Sequence, residues 1–213
     1  MNLTVCETFI SLMGESTLAG LPAFFIRLSG CNLRCTYCDT TYAYEGGGTR
    51  SVASLVEAAR SSSQKLVLVT GGEPLLQKGT RMLLEGLIQA GLDVMVETNG
   101  SLPIAGLDCR LRRVVDIKCP GSGMSSRNLW ANLEILTPRD EVKFILSDQD
   151  DFNWALGVAI RYRLLDRLPV LMSPAFGVLP PSEVAAWIIK SERPLRLNLQ
   201  LHKYIWGPET RGV

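Results

Sequence analysis

Three thiols fall within the stretch Cys31-Asn32-Leu33-Arg34-Cys35-Thr36-Tyr37-Cys38, a CxxxCxxC spacing with an aromatic residue before the last cysteine. Thiolates are soft ligands that suit iron-sulfur clusters or zinc, so residue type alone leaves two metals open. Spacing separates them. Structural zinc usually draws its ligands as two short pairs far apart in sequence. Here three cysteines are spent in one loop, and Cys6, Cys109, Cys119 and His202 each stand alone. Such a loop can hold three irons of a cubane cluster and leave the fourth iron open. An open iron can chelate an amino-carboxylate, which S-adenosylmethionine carries. Electron transfer into its sulfonium would break a carbon-sulfur bond and yield a 5'-deoxyadenosyl radical, chemistry that side chains alone do not supply.

That chemistry needs a scaffold, and the chain offers a regular one. Short apolar runs recur at Ala23 to Leu28, Leu66 to Val69, Val94 to Val96, Val114 to Ile117, Val142 to Leu146, Val170 to Met172 and Leu195 to Leu199, and they read as buried parallel strands. Helical stripes lie between several of them. Val52, Leu55, Val56 and Ala59 follow Ser51 as N-cap, and Leu83, Leu84, Leu87 and Ile88 precede Gly91 as a stop. Phe152, Ala155, Leu156 and Ala159 form a third stripe, and Ala185, Ile188 and Ile189 behind Ser182 a fourth. Strands alternating with helices imply a parallel α/β sheet with right-handed crossovers. The chain is short for an eight-stranded barrel, so the expected fold is a modified partial (β/α) barrel of about six parallel strands, one domain over residues 1–213. Working loops in such folds follow the C-terminal strand ends. The cysteine loop follows the first run, Thr70-Gly71-Gly72-Glu73-Pro74 the second, Glu97-Thr98-Asn99-Gly100 the third and Asp116-Ile117-Lys118 the fourth.

Composition narrows the partners. A formal net charge of +1 with scattered Lys and Arg gives no electrostatic footprint for a nucleic-acid duplex or an anionic membrane, so a small-molecule substrate is expected. The N-terminal residues lack a basic flank before a long apolar stretch, and no apolar run reaches membrane-spanning length, which predicts a cytoplasmic protein. In that reducing compartment the six cysteines read as thiols or metal ligands rather than disulfides, with Cys6, Cys109 and Cys119 packed as small hydrophobes.

CxxxCxxC followed by Gly71-Gly72-Glu73-Pro74 resembles, in order and spacing, the signature of the radical S-adenosylmethionine superfamily. The resemblance implies a 4Fe-4S cluster on Cys31, Cys35 and Cys38. It places S-adenosylmethionine against Tyr37, Cys38, Asp39, Gly71, Gly72, Glu97, Asp116, Ile117, Lys118 and Ser173, the last opening the run Ser173-Pro174-Ala175-Phe176. The glycines permit close backbone approach to a ligand. Read without the resemblance, the same loop is a tight strand-to-helix turn with Pro74 opening the helix, and Glu97 and Lys118 can form a solvated ion pair.

A closer resemblance covers nearly the whole chain. Phe9-Ile10-Ser11-Leu12-Met13-Gly14-Glu15-Ser16, Phe25-Ile26-Arg27-Leu28, Cys38-Asp39-Thr40 and Leu199-Gln200-Leu201-His202-Lys203 are similar to the 7-carboxy-7-deazaguanine synthases. That family contracts the ring of 6-carboxy-5,6,7,8-tetrahydropterin on the route to queuosine, releases ammonia and regenerates S-adenosylmethionine. The resemblance also implies Mg2+ on Thr40, a homodimer and an external electron donor of the flavodoxin or ferredoxin type. A carboxylated pterin needs a cation for its carboxylate, and Arg27 offers a planar fork. Its aminopyrimidinone edge needs acceptors, which Glu15 and the backbone of Leu12, Met13 and Gly14 can supply, while Thr70 can donate. Met13 stands where many members carry Gln, which leaves backbone contacts at that position. On residue type alone Thr40 is a turn hydroxyl capping the following backbone, and the lone His202 is a structural residue rather than a proton donor. Two rivals remain at this point: a glycyl-radical activating enzyme using the same cluster on a protein glycine, and a zinc-stabilised binding module.

Overall fold

The computed structural model describes residues 1–213. Seven parallel strands form its centre: β2 (Pro22–Leu28), β4 (Leu66–Gly71), β5 (Asp93–Thr98), β6 (Arg112–Asp116), β7 (Glu141–Leu146), β8 (Val170–Pro174) and β9 (Leu195–Leu197). All seven apolar runs are strands, one more than the six expected. Two further strands were not legible as apolar runs: β1 (Asn2–Leu12) and β3 (Gly48–Ser51) extend the sheet antiparallel at one edge. β1 mixes Leu3 and Val5 with Asn, Thr, Glu and Ser, because only part of it is buried. The order β3-β1-β2-β4-β5-β6-β7-β8-β9 is linear, so the barrel stays open.

Helices cover the outer face. α1 (Val52–Ser61) begins where Ser51 Oγ accepts from the Ser54 N–H, the predicted cap, worth about 1 kcal/mol. α2 (Thr80–Gln89) buries Leu83, Leu84, Leu87 and Ile88 and stops before Gly91 at φ +79°. α3 (Ala131–Glu134) is a single turn. α4 (Gln149–Arg161) buries Phe152, Ala155 and Ala159 as read, and leaves Leu156 half-buried. The fourth stripe is corrected. α5 (Pro181–Ser191) starts one residue before Ser182, which makes no cap, and its inward face is Val184, Trp187 and Ile188, with Ile189 turned to solvent. Prolines fix that start: Pro181 supplies the helical φ at the first position and needs no N–H partner. α6 (Leu201–Trp206) closes the chain's path over the sheet.

Strand alternation divides the residues between two faces. Phe24, Ile26, Leu28, Val67, Val69, Val94 and Val96 point out to α1 and α2, and Val142, Phe144, Leu146, Val170 and Met172 point out to α4 and α5. The inner face is apolar near its base, where Phe25, Leu68, Met95 and Val114 meet Met13 and Phe9, the latter stacked on Phe25 at 4.7 Å. Toward the C-terminal strand ends the same face turns polar. No helix is long and apolar enough to cross a membrane.

Candidate active site

The polar half of the inner face lines one cavity with the cysteine loop across its mouth. Every residue expected at the site lines it except Ile117, whose side chain is buried in the outer core and whose N–H donates to the Lys143 carbonyl at 2.9 Å. Strand alternation explains this: with Asp116 inward, Ile117 must turn outward.

The cysteine loop is held from three sides. Arg34 Nη1 donates to the carbonyls of Cys31 and Leu33 at 2.8 and 2.7 Å, and its guanidinium sits 4.2 Å from the Tyr44 ring centroid. Thr36 N–H and Oγ1 donate to the carbonyls of Ser122 and Gly121. The Gly71-Gly72-Glu73 turn supplies the third support: Gly72 and Glu73 N–H groups donate to the carbonyls of Leu28 and Gly30. A Cβ on Gly71 would lie 2.2 Å from the Leu28 oxygen, and one on Gly72 would lie 2.3 Å from the Gly30 oxygen and 2.7 Å from Cys31 Cβ. Gly71 is therefore required by the approach of the end of β2 and Gly72 by that of the cysteine loop, a reason the sequence did not separate from ligand approach. Glu73 is fully buried, accepts from Thr98 Oγ1 and from the Asn99 and Leu75 N–H groups, and so ties the second loop to the third. Burial pushes its carboxyl up against those donors.

Cys31, Cys35 and Cys38 are free thiols on one cavity wall. Asn99 Nδ2 and the Leu33 N–H both approach Cys31 Sγ, at 3.9 and 3.5 Å. Burial pushes the Cys35 thiol up, and the nearby Lys118 ammonium opposes it. Donors to the Cys31 sulfur, a cation near Cys35 and a close-packed glycine at Cys31 fit a thiolate-bound cluster. No three His, Cys, Asp or Glu side chains gather around a single-ion site. Of the solitary cysteines only Cys119 is buried as expected; Cys109 is exposed and Cys6, at a β-bulge between Val5 and Glu7, is half-buried.

Charged side chains form a network through the same cavity. Arg27, on β2 beside Thr70 of β4, donates from Nε to Glu7 Oε1 at 2.7 Å, while neither Nη meets a protein acceptor. Thr70 Oγ1 lies 3.5 Å from Glu97 Oε2. Lys118 Nζ donates to Asp116 Oδ2 at 2.7 Å, and Asp116 Oδ1 is buried without a partner. Glu97 and Lys118 do not pair with each other, as the alternative reading would have them: Lys118 bonds to Asp116 in a buried pair, and Glu97 bonds to Lys143. Glu15 accepts from Lys143 at 2.8 Å and from Gln200 Nε2 at 2.9 Å. Asp39 Oδ2 accepts from Gln200 and Lys203, and Oδ1 from Thr40 Oγ1 at 2.9 Å. Burial raises the Asp39 carboxyl, but Lys203 and these donors win and hold it below the usual range. The Thr40 hydroxyl makes no cap on the following turn, Thr41–Ala43, contrary to the turn reading. Met13 is buried, and its N–H and carbonyl are spent on Leu21 and Gly20, while the Gly14 carbonyl accepts from Leu201. The Gly14 N–H is left without a backbone partner.

Four contributors escaped the sequence reading: Lys143, Asn198, Gln200 and Lys203. Lys143 had a signal, since it stands out of phase with Val142, Phe144 and Leu146 and must face inward. Gln200 and Lys203 were visible only as part of a resembling segment. Asn198, which donates to Ser173 Oγ at 2.8 Å, carried none.

A Radical SAM superfamily model matches residues 25–117. The 7-carboxy-7-deazaguanine synthase of Chlorobaculum tepidum is 40% identical over 99% of this chain and 97% of its own length, and that of Koribacter versatilis is 37% identical over 99% and 100%. The chain belongs to the 7-carboxy-7-deazaguanine synthase family. It is a radical S-adenosylmethionine enzyme, and its cofactors are a four-iron cluster and S-adenosylmethionine. The crystal structure of QueE from Escherichia coli shares the fold, with a TM-score of 0.74 at 22% identity over 94% of both chains. Membership in this synthase family disfavours the glycyl-radical activase and the zinc module alike.

Proposed function

We propose that this chain converts 6-carboxy-5,6,7,8-tetrahydropterin to 7-carboxy-7-deazaguanine with release of ammonia, and that the charged half of the cavity holds the pterin against the cysteine wall. The observation that carries this pose is Arg27, whose two free Nη groups look into the cavity while Glu7 holds Nε and the rings of Phe9 and Tyr42 each lie 5.9 Å away. A guanidinium fixed on one edge and open on the other suits a carboxylate. Glu15 and the Gly14 N–H offer an acceptor and a donor for the aminopyrimidinone edge, and Thr70 a hydroxyl between them and Arg27.

When bound, the cluster and S-adenosylmethionine supply a radical able to take hydrogen from carbon. Around them, Tyr37, Asp39, Gly71, Gly72, Glu97, Asp116, Lys118 and Ser173 orient the sulfonium cofactor, with Asp116 Oδ1 as an open acceptor. Thr40 would bind Mg2+ with substrate oxygens completing the shell, because a hard cation on one neutral protein oxygen is weakly held alone. Gln200, which caps α6, and His202 and Lys203 within it shield the cavity. The protein works in the cytoplasm as a homodimer served by a flavodoxin- or ferredoxin-type donor.

Binding of 6-carboxypterin, followed by its own fluorescence, tests the pose. Arg27→Ala should lose roughly 2–5 kcal/mol of affinity and Arg27→Lys most of that, since lysine keeps charge without the fork. Unchanged affinity in Arg27→Ala would remove Arg27 from the site.

A further inference from the structure

Among the cations of the cavity only Lys143 bonds to more than one carboxylate. Arg27 meets Glu7, Lys118 meets Asp116 and Lys203 meets Asp39. Lys143 meets both Glu15 and Glu97, and its Nζ also lies 3.9 Å from Asp116 Oδ2. Its side chain is 5% exposed, on the inner face of β7 between outward-facing Val142 and Phe144. One ammonium therefore serves two half-buried carboxylates from different elements, the loop after β1 and strand β5.

We propose that Lys143 is the positioning residue that balances Glu15 against Glu97, so that Glu15 meets the donor edge of the substrate as an ionised acceptor held in place. This rests on the pterin-binding reading above. Glu15 is gripped at both oxygens, Oε2 by Lys143 at 2.8 Å and Oε1 by Gln200 at 2.9 Å, with Asn198 Nδ2 at 3.3 Å. That grip leaves the carboxylate one orientation, which a two-point contact with a pterin needs. Burial raises the Glu15 carboxyl, yet the Lys143 charge and hydrogen bond outweigh it and hold Glu15 below the usual range. Glu97 goes the other way: burial raises it, Glu15 and Asp116 add to the rise, and its share of Lys143 does not cancel them. Burial lowers Lys143, but Glu15, Glu97 and Asp116 drive it well above the ordinary amine value, so it stays charged. The other charged groups facing this triad are Lys118 behind Asp116, Asp39 on the cysteine loop, His202 and Lys203 on α6, and Arg27 on β2.

Without Lys143 the two carboxylates would face each other with no cation between them and would share a proton held above the ordinary carboxylate range. The test compares Lys143→Met, Lys143→Met/Glu97→Gln and wild type, each as the full chain, using 6-carboxypterin fluorescence from pH 6 to 9. Wild type should bind with less pH dependence than Lys143→Met, because Lys143 offsets the charge of both carboxylates. Lys143→Met should bind about 100-fold more weakly at the alkaline end and recover as pH falls, because protonation restores the balance. The double variant removes the surplus charge and should regain at least about tenfold with the pH dependence gone. A Lys143→Met protein that folds only with Glu97→Gln present supports the same charge balance. A uniform loss at all pH values with no rescue would overturn the inference, as would two unfolded variants, since Lys143 would then serve the fold alone. Wild type that fails to bind 6-carboxypterin would sink the substrate reading and this inference with it. Normal wild-type binding with unaltered Lys143→Met would sink the inference alone.

Discussion

The side chains of the cavity carry two separable tests. Thr40 keeps its hydroxyl free of helix capping and 2.9 Å from Asp39, beside the last cysteine. If it binds Mg2+ together with substrate, metal and pterin must bind with positive and reciprocal coupling. Isothermal titration of 6-carboxypterin with Mg2+ and after chelation should show that coupling in wild type and largely in Thr40→Ser, and lose it in Thr40→Val. Equal Mg2+ response in all three would make Thr40 a loop hydroxyl. His202 packs against Gly14, where a Cβ would come within 2.1 Å of Nδ1. Burial lowers its pKa below 6.5, more than the charge of Glu15 raises it. A depressed histidine stabilises the fold as the neutral form: its contribution is complete above about pH 6.5 and is lost as pH falls through the folded value. Chemical denaturation from pH 7.5 to 5 should therefore show stability falling with pH, and His202→Gln should flatten that part of the curve. An identical slope in the variant would assign the loss to other groups.

Among the loops, the Gly71-Gly72-Glu73 turn acts as a brace between β2, the cysteine loop and Thr98-Asn99. Its role as a brace is energetic as well as geometric, because Glu73 satisfies three donors in a fully buried place, where each unmet group costs about 1–3 kcal/mol. Gly72→Ala should push the Gly30 carbonyl and Cys31 away and reduce anaerobically reconstituted iron and sulfide per chain, with far-ultraviolet circular dichroism near wild type. Full cluster content in Gly72→Ala would contradict the close approach seen here. The strands that carry these loops were legible because both faces of the central sheet are covered and the runs stay apolar. β1 and β3 were not, since an edge pair with one wet face needs no apolar run. α5 misled at its boundary because Ser182 has a cap's side chain, while Pro180-Pro181 sets the cap and the helix start two residues earlier.

Across the molecule, legibility followed distance along the chain. The cluster loop, the glycine turn and Arg27 stand within short segments that announce their chemistry. The charge network does not, because Lys143 reaches Glu15 from a residue 128 positions away and Gln200 from 185. Only the open barrel, which gathers strand ends from β2 to β8 and folds α6 across them, makes those residues neighbours. The same gathering sets the central claim, that one cavity holds the cysteine loop on one wall and a carboxylated pterin on the other. The direct test is anaerobic incubation of the reconstituted protein with S-adenosylmethionine, reductant and 6-carboxy-5,6,7,8-tetrahydropterin, followed by mass analysis. The expected product is lighter than the substrate by one ammonia and forms without stoichiometric consumption of S-adenosylmethionine. Cleavage of S-adenosylmethionine with the pterin recovered unchanged would contradict it.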